Sequence, residues 1–189
     1  CYNGIDPVLT VVGDPTARGT PSPYPYGNNA VAVGVQVTNT VSSPADETND
    51  VRYASVGWQV TTNGILMSGN SSTQAVFTMP ATNAVLTFFW TNEYRLTVST
   101  GLHGTASVGA SGWYTNGTQV QVSATADVNY VFSLWTGDVP TADRRSNPLT
   151  VTMNQARSIV AQFGSATGET KTWTGNGNWT STTNWASPV

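Results

Sequence analysis

The chain has 189 residues, of which 39% are apolar, 10% aromatic and only 9% charged, and seven basic against ten acidic groups leave a net charge of −3. Six arginines and the single Lys171 supply no basic face for neutralising phosphates, which excludes a nucleic-acid binder. With 30 Thr, 23 Val, 17 Ser, 16 Asn, 18 Gly and 10 Pro, strand and turn formers dominate and long helices are excluded.

Cys1 is the one cysteine, so neither an internal disulfide nor a cysteine-based metal site is expected, and no cofactor is implied. An opening at Cys1-Tyr2-Asn3-Gly4 would suit a lipid-carrying terminus, a reading the sequence leaves open. No window approaches the roughly 20 apolar residues that cross a bilayer, so no transmembrane segment is expected. The start without methionine and the end at Ser187-Pro188-Val189 suggest a piece of something longer.

In chain order, an internal repeat organises the sequence. Leu9-Thr10-Val11 recurs as Leu96-Thr97-Val98, and Gly19-Thr20 as Gly104-Thr105. Val35-Gln36-Val37-Thr38-Asn39-Thr40 is matched to Val120-Gln121-Val122-Ser123-Ala124-Thr125, and Tyr53 with Trp58 to Tyr130 with Trp135. Phe77-Thr78-Met79, Val85 and Phe89 are matched to Val151-Thr152-Met153, Ile159 and Phe163. Spacing is rigid inside the blocks and elastic between them, as strands in register and surface loops require. The extra residues of the first copy fall around Ser42 to Asp50, which reads as a loop. Val31, Val33, Val35 and Val37 alternate with small or polar residues and predict one strand with a four-valine face. Asn63-Gly64 and Asn116-Gly117 predict tight turns.

The expected fold is all-β: two tandem small antiparallel modules, β-grasp-like or sandwich-like, each of about five strands. An N-terminal segment covers 1–7, module one 8–91, module two 92–164, and a linker with the start of a third, Trp-rich β segment 165–189. Tyr53, Trp58, Met79 and Phe89 are the predicted core landmarks of module one, and Tyr130, Trp135, Met153 and Phe163 those of module two.

Gly117-Thr118-Gln119-Val120-Gln121-Val122, Tyr130 through Trp135-Thr136-Gly137-Asp138, and Asn147-Pro148-Leu149-Thr150-Val151-Thr152-Met153 through Val160-Ala161-Gln162-Phe163 carry a resemblance. Module two resembles the divergent internalin-type B-repeat family. The resemblance implies a compact β module, found in tandem in large secreted or surface-attached bacterial proteins, and brings no catalytic residues. Module one resembles a longer, more distant copy that lacks the Trp-Thr-Gly-Asp stretch. Beyond the polar linker, Trp173, Trp179 and Trp185 recur every six residues and resemble the opening of the tryptophan-marked repeats of bacterial β-helical surface proteins. On an extended chain the three indoles would share one side and expose an apolar patch.

Few residues of the chain could carry chemistry. A nucleophile and base need an imidazole or its equivalent, and the only one is His103, in a Gly-flanked turn where a solvated loop residue is the simpler reading. Glu93, Glu169 and Asp138 are acids for a paired-carboxylate mechanism, yet their places suit junction and turn roles. Asp46, Glu47 and Asp50 would suit a calcium loop but lack the ordered Asp-x-Asp-x-Asp-Gly pattern. Asp143-Arg144-Arg145 reads as turn chemistry, or as a grip on a carboxylate or sugar acid. Trp113 and Tyr114, with Tyr24 and Tyr26, stand among Pro and Gly, where aromatics stack on sugars or cap β cores. The Asn-x-Ser/Thr triplets at Asn70, Asn116 and Asn178 are no more than compatible with an extracellular setting.

The sequence therefore predicts a non-enzymatic spacer region of a large bacterial secreted or cell-surface protein, taking part in extracellular assembly or adhesion. Its partners would be neighbouring domains of the parent chain, copies of itself, or a cell-surface glycan. The alternative is a carbohydrate- or surface-ligand-binding module attached to a secreted hydrolase, with Trp113, Tyr114, Trp173, Trp179 and Trp185 as its ligand-binding residues.

Overall fold

A computed structural model describes residues 6–166, 172–173 and 185–186. The chain is all-β, with a single 3-10 turn (Val108–Ala110) as its helical element among the described residues. It divides into two compact units. Unit 1 comprises Cys1–Arg95 with Trp113–Thr118 and Met153–Ala156, and unit 2 comprises Leu96–Gly112, Gln119–Thr152 and Arg157–Val189.

In unit 1, β1 (Val8–Asp14) lies between β2 (Gly27–Ala30) and β8 (Ala84–Thr100), and β8 pairs on its other side with the long β5 (Val51–Thr62). Around β5, the short β4 (Ala45–Thr48) and β6 (Ile65–Asn70) complete the sheet. A separate ribbon joins β3 (Gln36–Thr40) to β7 (Gln74–Thr78). Strand alternation turns Leu9 and Val11 of β1, Trp58 and Val60 of β5, and Ala84, Leu86, Phe88 and Trp90 of β8 inward, where they meet Val37, Ala75 and Phe77 of the ribbon. Full burial of such a side chain contributes about 1.5–3 kcal/mol. Asn39 is wholly buried in the same core, its amide receiving from Tyr24 N–H and donating to Tyr24 C=O, each at 2.9 Å. A polar group can sit there because both ends of the amide are paired.

Unit 2 repeats the plan. β13 (Tyr130–Gly137) pairs with β15 (Arg157–Ser165), and β15 with the last residues of β8. β11 (Gln119–Val122) with β14 (Leu149–Thr152) forms the ribbon, and β9 (Gly104–Ala106) pairs β12 (Ala124–Ala126); β10 (Gly112–Thr115), most of which belongs to unit 1, pairs β8. Leu96, Val98, Val120, Val122, Trp135, Leu149, Ile159 and Ala161 are buried.

Hydrogen bonds prove the duplication and adjust its register. Trp58 stands opposite Phe88 and Tyr53 opposite Asn92; Trp135 stands opposite Ala161 and Tyr130 opposite Ser165. Both long strands bulge at the same place, between Ser55 and Gly57 and between Phe132 and Leu134. Gly34 N–H donates to Met79 C=O and Met79 N–H to Val35 C=O, while Gly117 N–H donates to Met153 C=O and Met153 N–H to Thr118 C=O. Gly34 and Gly117 both have positive φ, 81° and 86°, at the third position of the same turn.

These equivalences correct four expectations. Val37, not Val35, is the partner of Val120, because Val37 faces Phe77 as Val120 faces Val151. Trp90, not Phe89, corresponds to Phe163: Ser55 opposes Trp90 as Phe132 opposes Phe163. The predicted four-valine strand breaks at the Ala32–Val35 turn, which leaves Val33 and Val35 about 40% exposed, at 41% and 40%. The predicted loop over Ser42 to Asp50 contains β4 and a hairpin turn at Asn49-Asp50, whose two positive φ values (50° and 60°) match the right-handed strand twist.

One pairing in each unit differs from the antiparallel expectation. β1 runs parallel to β8, from Leu9 opposite Ala84 to Asp14 opposite Phe89, and β8 runs parallel to β15, from Leu96 opposite Arg157 to Thr100 opposite Ala161. A parallel pair needs a long crossover. Here the whole intervening module supplies it.

Candidate functional site

The residues singled out for ligand binding divide into three groups. Trp113 is half-buried, and the Arg52 guanidinium covers its ring at 4.4 Å while donating to Glu93 at 2.7 Å. Tyr114 is likewise half-buried. Trp173 belongs to a two-residue strand, β16 (Thr172–Trp173), paired with β17 (Trp185–Ala186), in which Trp173 stands opposite Trp185. Trp179 lies outside the described residues, as does Glu169.

The acids hold the backbone together. Asp138 is fixed by the Trp-Thr-Gly-Asp stretch: Trp135 is fully buried with its indole N–H donating to Ser146 C=O at 2.9 Å, and Gly137 turns the chain at φ 87°. Asp138 then donates its N–H to Ser158 C=O at 2.9 Å and accepts from Ser158 N–H through Oδ2 at 2.8 Å. Arg157 binds across the same corner, donating to Asp138 C=O at 2.8 Å and to Thr152 C=O at 3.0 Å. A cavity of about 100 Å³ beside this corner is lined by Asp138, Val139, Pro140, Asp143, Leu149 and Arg157 among others. That is well below the roughly 300–1,000 Å³ of small-molecule sites. Glu93 pairs with Arg52, Asp50 with Arg95 at 3.4 Å, and Asp46 accepts from Gly19 N–H at 3.1 Å. Among the described residues no three His, Cys, Asp or Glu side chains converge as a metal site. No helix there is long and apolar enough to cross a membrane.

His103 is exposed, yet its ring stacks on Tyr130 with centroids 3.9 Å apart and planes 2° from parallel. Its counterpart in the first unit is Arg18, which no sequence motif marks. Arg18 precedes Gly19 as His103 precedes Gly104, and its guanidinium lies 3.6 Å over the ring of Tyr53, the partner of Tyr130 in the repeat. The available signal was the residue before each matched glycine, a place where a cation and an imidazole do not look alike.

The remaining candidate is the backbone itself. In both units the entering and leaving strands are direct neighbours and run the same way. Tension applied at the two ends of such a unit slides one strand along the other, so the hydrogen bonds of the ladder resist together. Antiparallel terminal strands would instead peel apart bond by bond.

These features define a duplicated all-β module whose recognisable side chains serve packing, turns and strand ends. Residues 94–167 match the family described as divergent InlB B-repeat domain, a family of repeats of bacterial surface proteins. The matched span runs from the last part of β8 to just beyond β15. No curated protein and no solved structure matches the chain.

Proposed function

We propose that this chain is a non-enzymatic spacer of a bacterial secreted or cell-surface protein, in which each module adds a fixed length to the parent chain and resists extension. The parallel pairing of entering and leaving strands, present twice, carries this reading. One further fact supports it: the family match covers the second module.

Single-molecule extension of the chain by its ends tests the proposal. Two separate force peaks are expected, each followed by the contour length of one module, because forced unfolding is set by the unfolding barrier and not by equilibrium stability alone. Extension without peaks, as for an unstructured chain, would contradict it.

A further inference from the structure

Two Asn-Gly pairs, Asn63-Gly64 and Asn116-Gly117, lie among the described residues, both in unit 1. A glycine after an asparagine leaves the next amide nitrogen unshielded by any side chain. That nitrogen can attack the asparagine Cγ and close a five-membered imide, provided it is released from hydrogen bonding and its peptide is free to turn.

Access does not distinguish the two pairs, since both are exposed and a Cβ at either glycine would meet nothing within 4 Å. Hydrogen bonding does. Asn116 N–H donates to Asn92 C=O at 2.9 Å, Gly117 N–H to Met153 C=O at 2.8 Å and Thr118 N–H to Thr115 C=O at 3.0 Å, so three consecutive amides are held. Asn63 and Gly64 form the tip of the β5–β6 hairpin, with φ of 49° and 77°, and neither N–H has a partner among the described residues. Behind the tip the ladder shifts register between Val60 and Thr61, which sets the last two pairs, Thr61 with Leu66 and Thr62 with Ile65, apart from the rest. Ile65 and Leu66 are 70% and 62% exposed, and the nearest side-chain anchor, Thr62 Oγ1 donating to Asn83 C=O at 3.0 Å, lies ahead of the turn. A segment with little burial and exposed backbone bonds opens locally at low cost.

We propose that Asn63 is a site of spontaneous covalent modification, deamidating through a cyclic imide, while the fold protects Asn116. When the turn opens, hydroxide takes the Gly64 N–H proton, the nitrogen bonds to Asn63 Cγ, the Cγ–Nδ2 bond breaks and ammonia leaves. Water then opens the imide at either carbonyl and leaves aspartate or isoaspartate at position 63. One water is consumed and one ammonia released, with no oxidant or reductant. The product adds a negative charge to a chain of net charge −3, and it does so at an exposed tip separated by the bulge from the buried Trp58 and Val60.

The test keeps the whole chain in mildly alkaline buffer and follows each asparagine by peptide mapping with mass spectrometry. In the folded chain, conversion at Asn63 is expected to run about tenfold or more faster than at Asn116. In guanidinium chloride, where both turns lose their hydrogen bonds, the two rates are expected to agree within about threefold. Isoaspartate among the products at position 63 is expected, because direct hydrolysis of the side chain gives aspartate alone. Equal rates in the folded chain, or faster conversion at Asn116, would overturn the proposal. So would a ratio of rates that denaturant leaves unchanged, or a product at position 63 free of isoaspartate.

Discussion

Trp135→Ala is expected to destabilise the second unit by about 3–5 kcal/mol, and Trp58→Ala the first by a similar amount. Trp135 is wholly buried and Trp58 3% exposed, so each truncation removes a large apolar side chain from a packed interior. Each also removes an indole donor, from Ser146 C=O in one unit and from Ser72 Oγ, 3.3 Å away, in the other. The two serines occupy the same place in the repeat, seven residues before Met153 and Met79. Denaturant midpoints check this against Val128→Ala, a change at a side chain 85% exposed and expected to lie within about 0.5 kcal/mol of the unaltered chain. Losses below about 1 kcal/mol for both tryptophans would contradict their packing in the two cores, and a large loss at only one would contradict the equivalence of the cores.

Gly137→Ala is the second large effect. The residue has φ 87°, a region that costs an ordinary side chain about 1–2 kcal/mol. An added Cβ would also stand 2.1 Å from Ser158 C=O, and relieving that contact means moving the start of β15 away from Asp138, at a further cost of about 1–3 kcal/mol. Gly57→Ala meets the same obstacle in the first unit, where φ is 133° and the Cβ would stand 2.2 Å from Asn70 C=O. Gly117→Ala is the comparison, since it shares a positive φ of 86° but has open space around it. It is expected to lose only the conformational part, and equal losses at Gly137 and Gly117 would show that the close approach to β15 is unimportant.

The duplication was legible because large aromatic residues at fixed spacing are rare enough to align. Tyr53 with Trp58 and Tyr130 with Trp135 locate the long strand of each unit, and the bulges that lie between the two residues of each pair coincide. The valine-rich block was legible only in its pattern. A period of two repeats itself when shifted by two, so Val35 and Val37 match Val120 equally well until the turn at Gly34 fixes the register. Phe89 matches Phe163 by offset for the opposite reason: the path from Met153 to β15 is one residue shorter than its counterpart from Met79 to β8, and a one-residue change moves a side chain to the other face. The parallel terminal ladders have no local sequence signal, since either direction of pairing uses the same alternating residues. Asp138 and Glu93 could be read as acids but not as backbone and ion-pair partners, because Ser158 and Arg52 are distant in the chain.

Direction of pull tests the central claim most directly. With Cys1 replaced by serine, unit 1 is held in one preparation through cysteines introduced at Val8 and Tyr94, and in another through cysteines at Val8 and Ala84. The first pair draws β1 and β8 along each other; the second draws apart the same ends of the two parallel strands, which register Leu9 opposite Ala84. The account predicts a rupture force several-fold higher for the first pair. Equal forces in the two directions would contradict it.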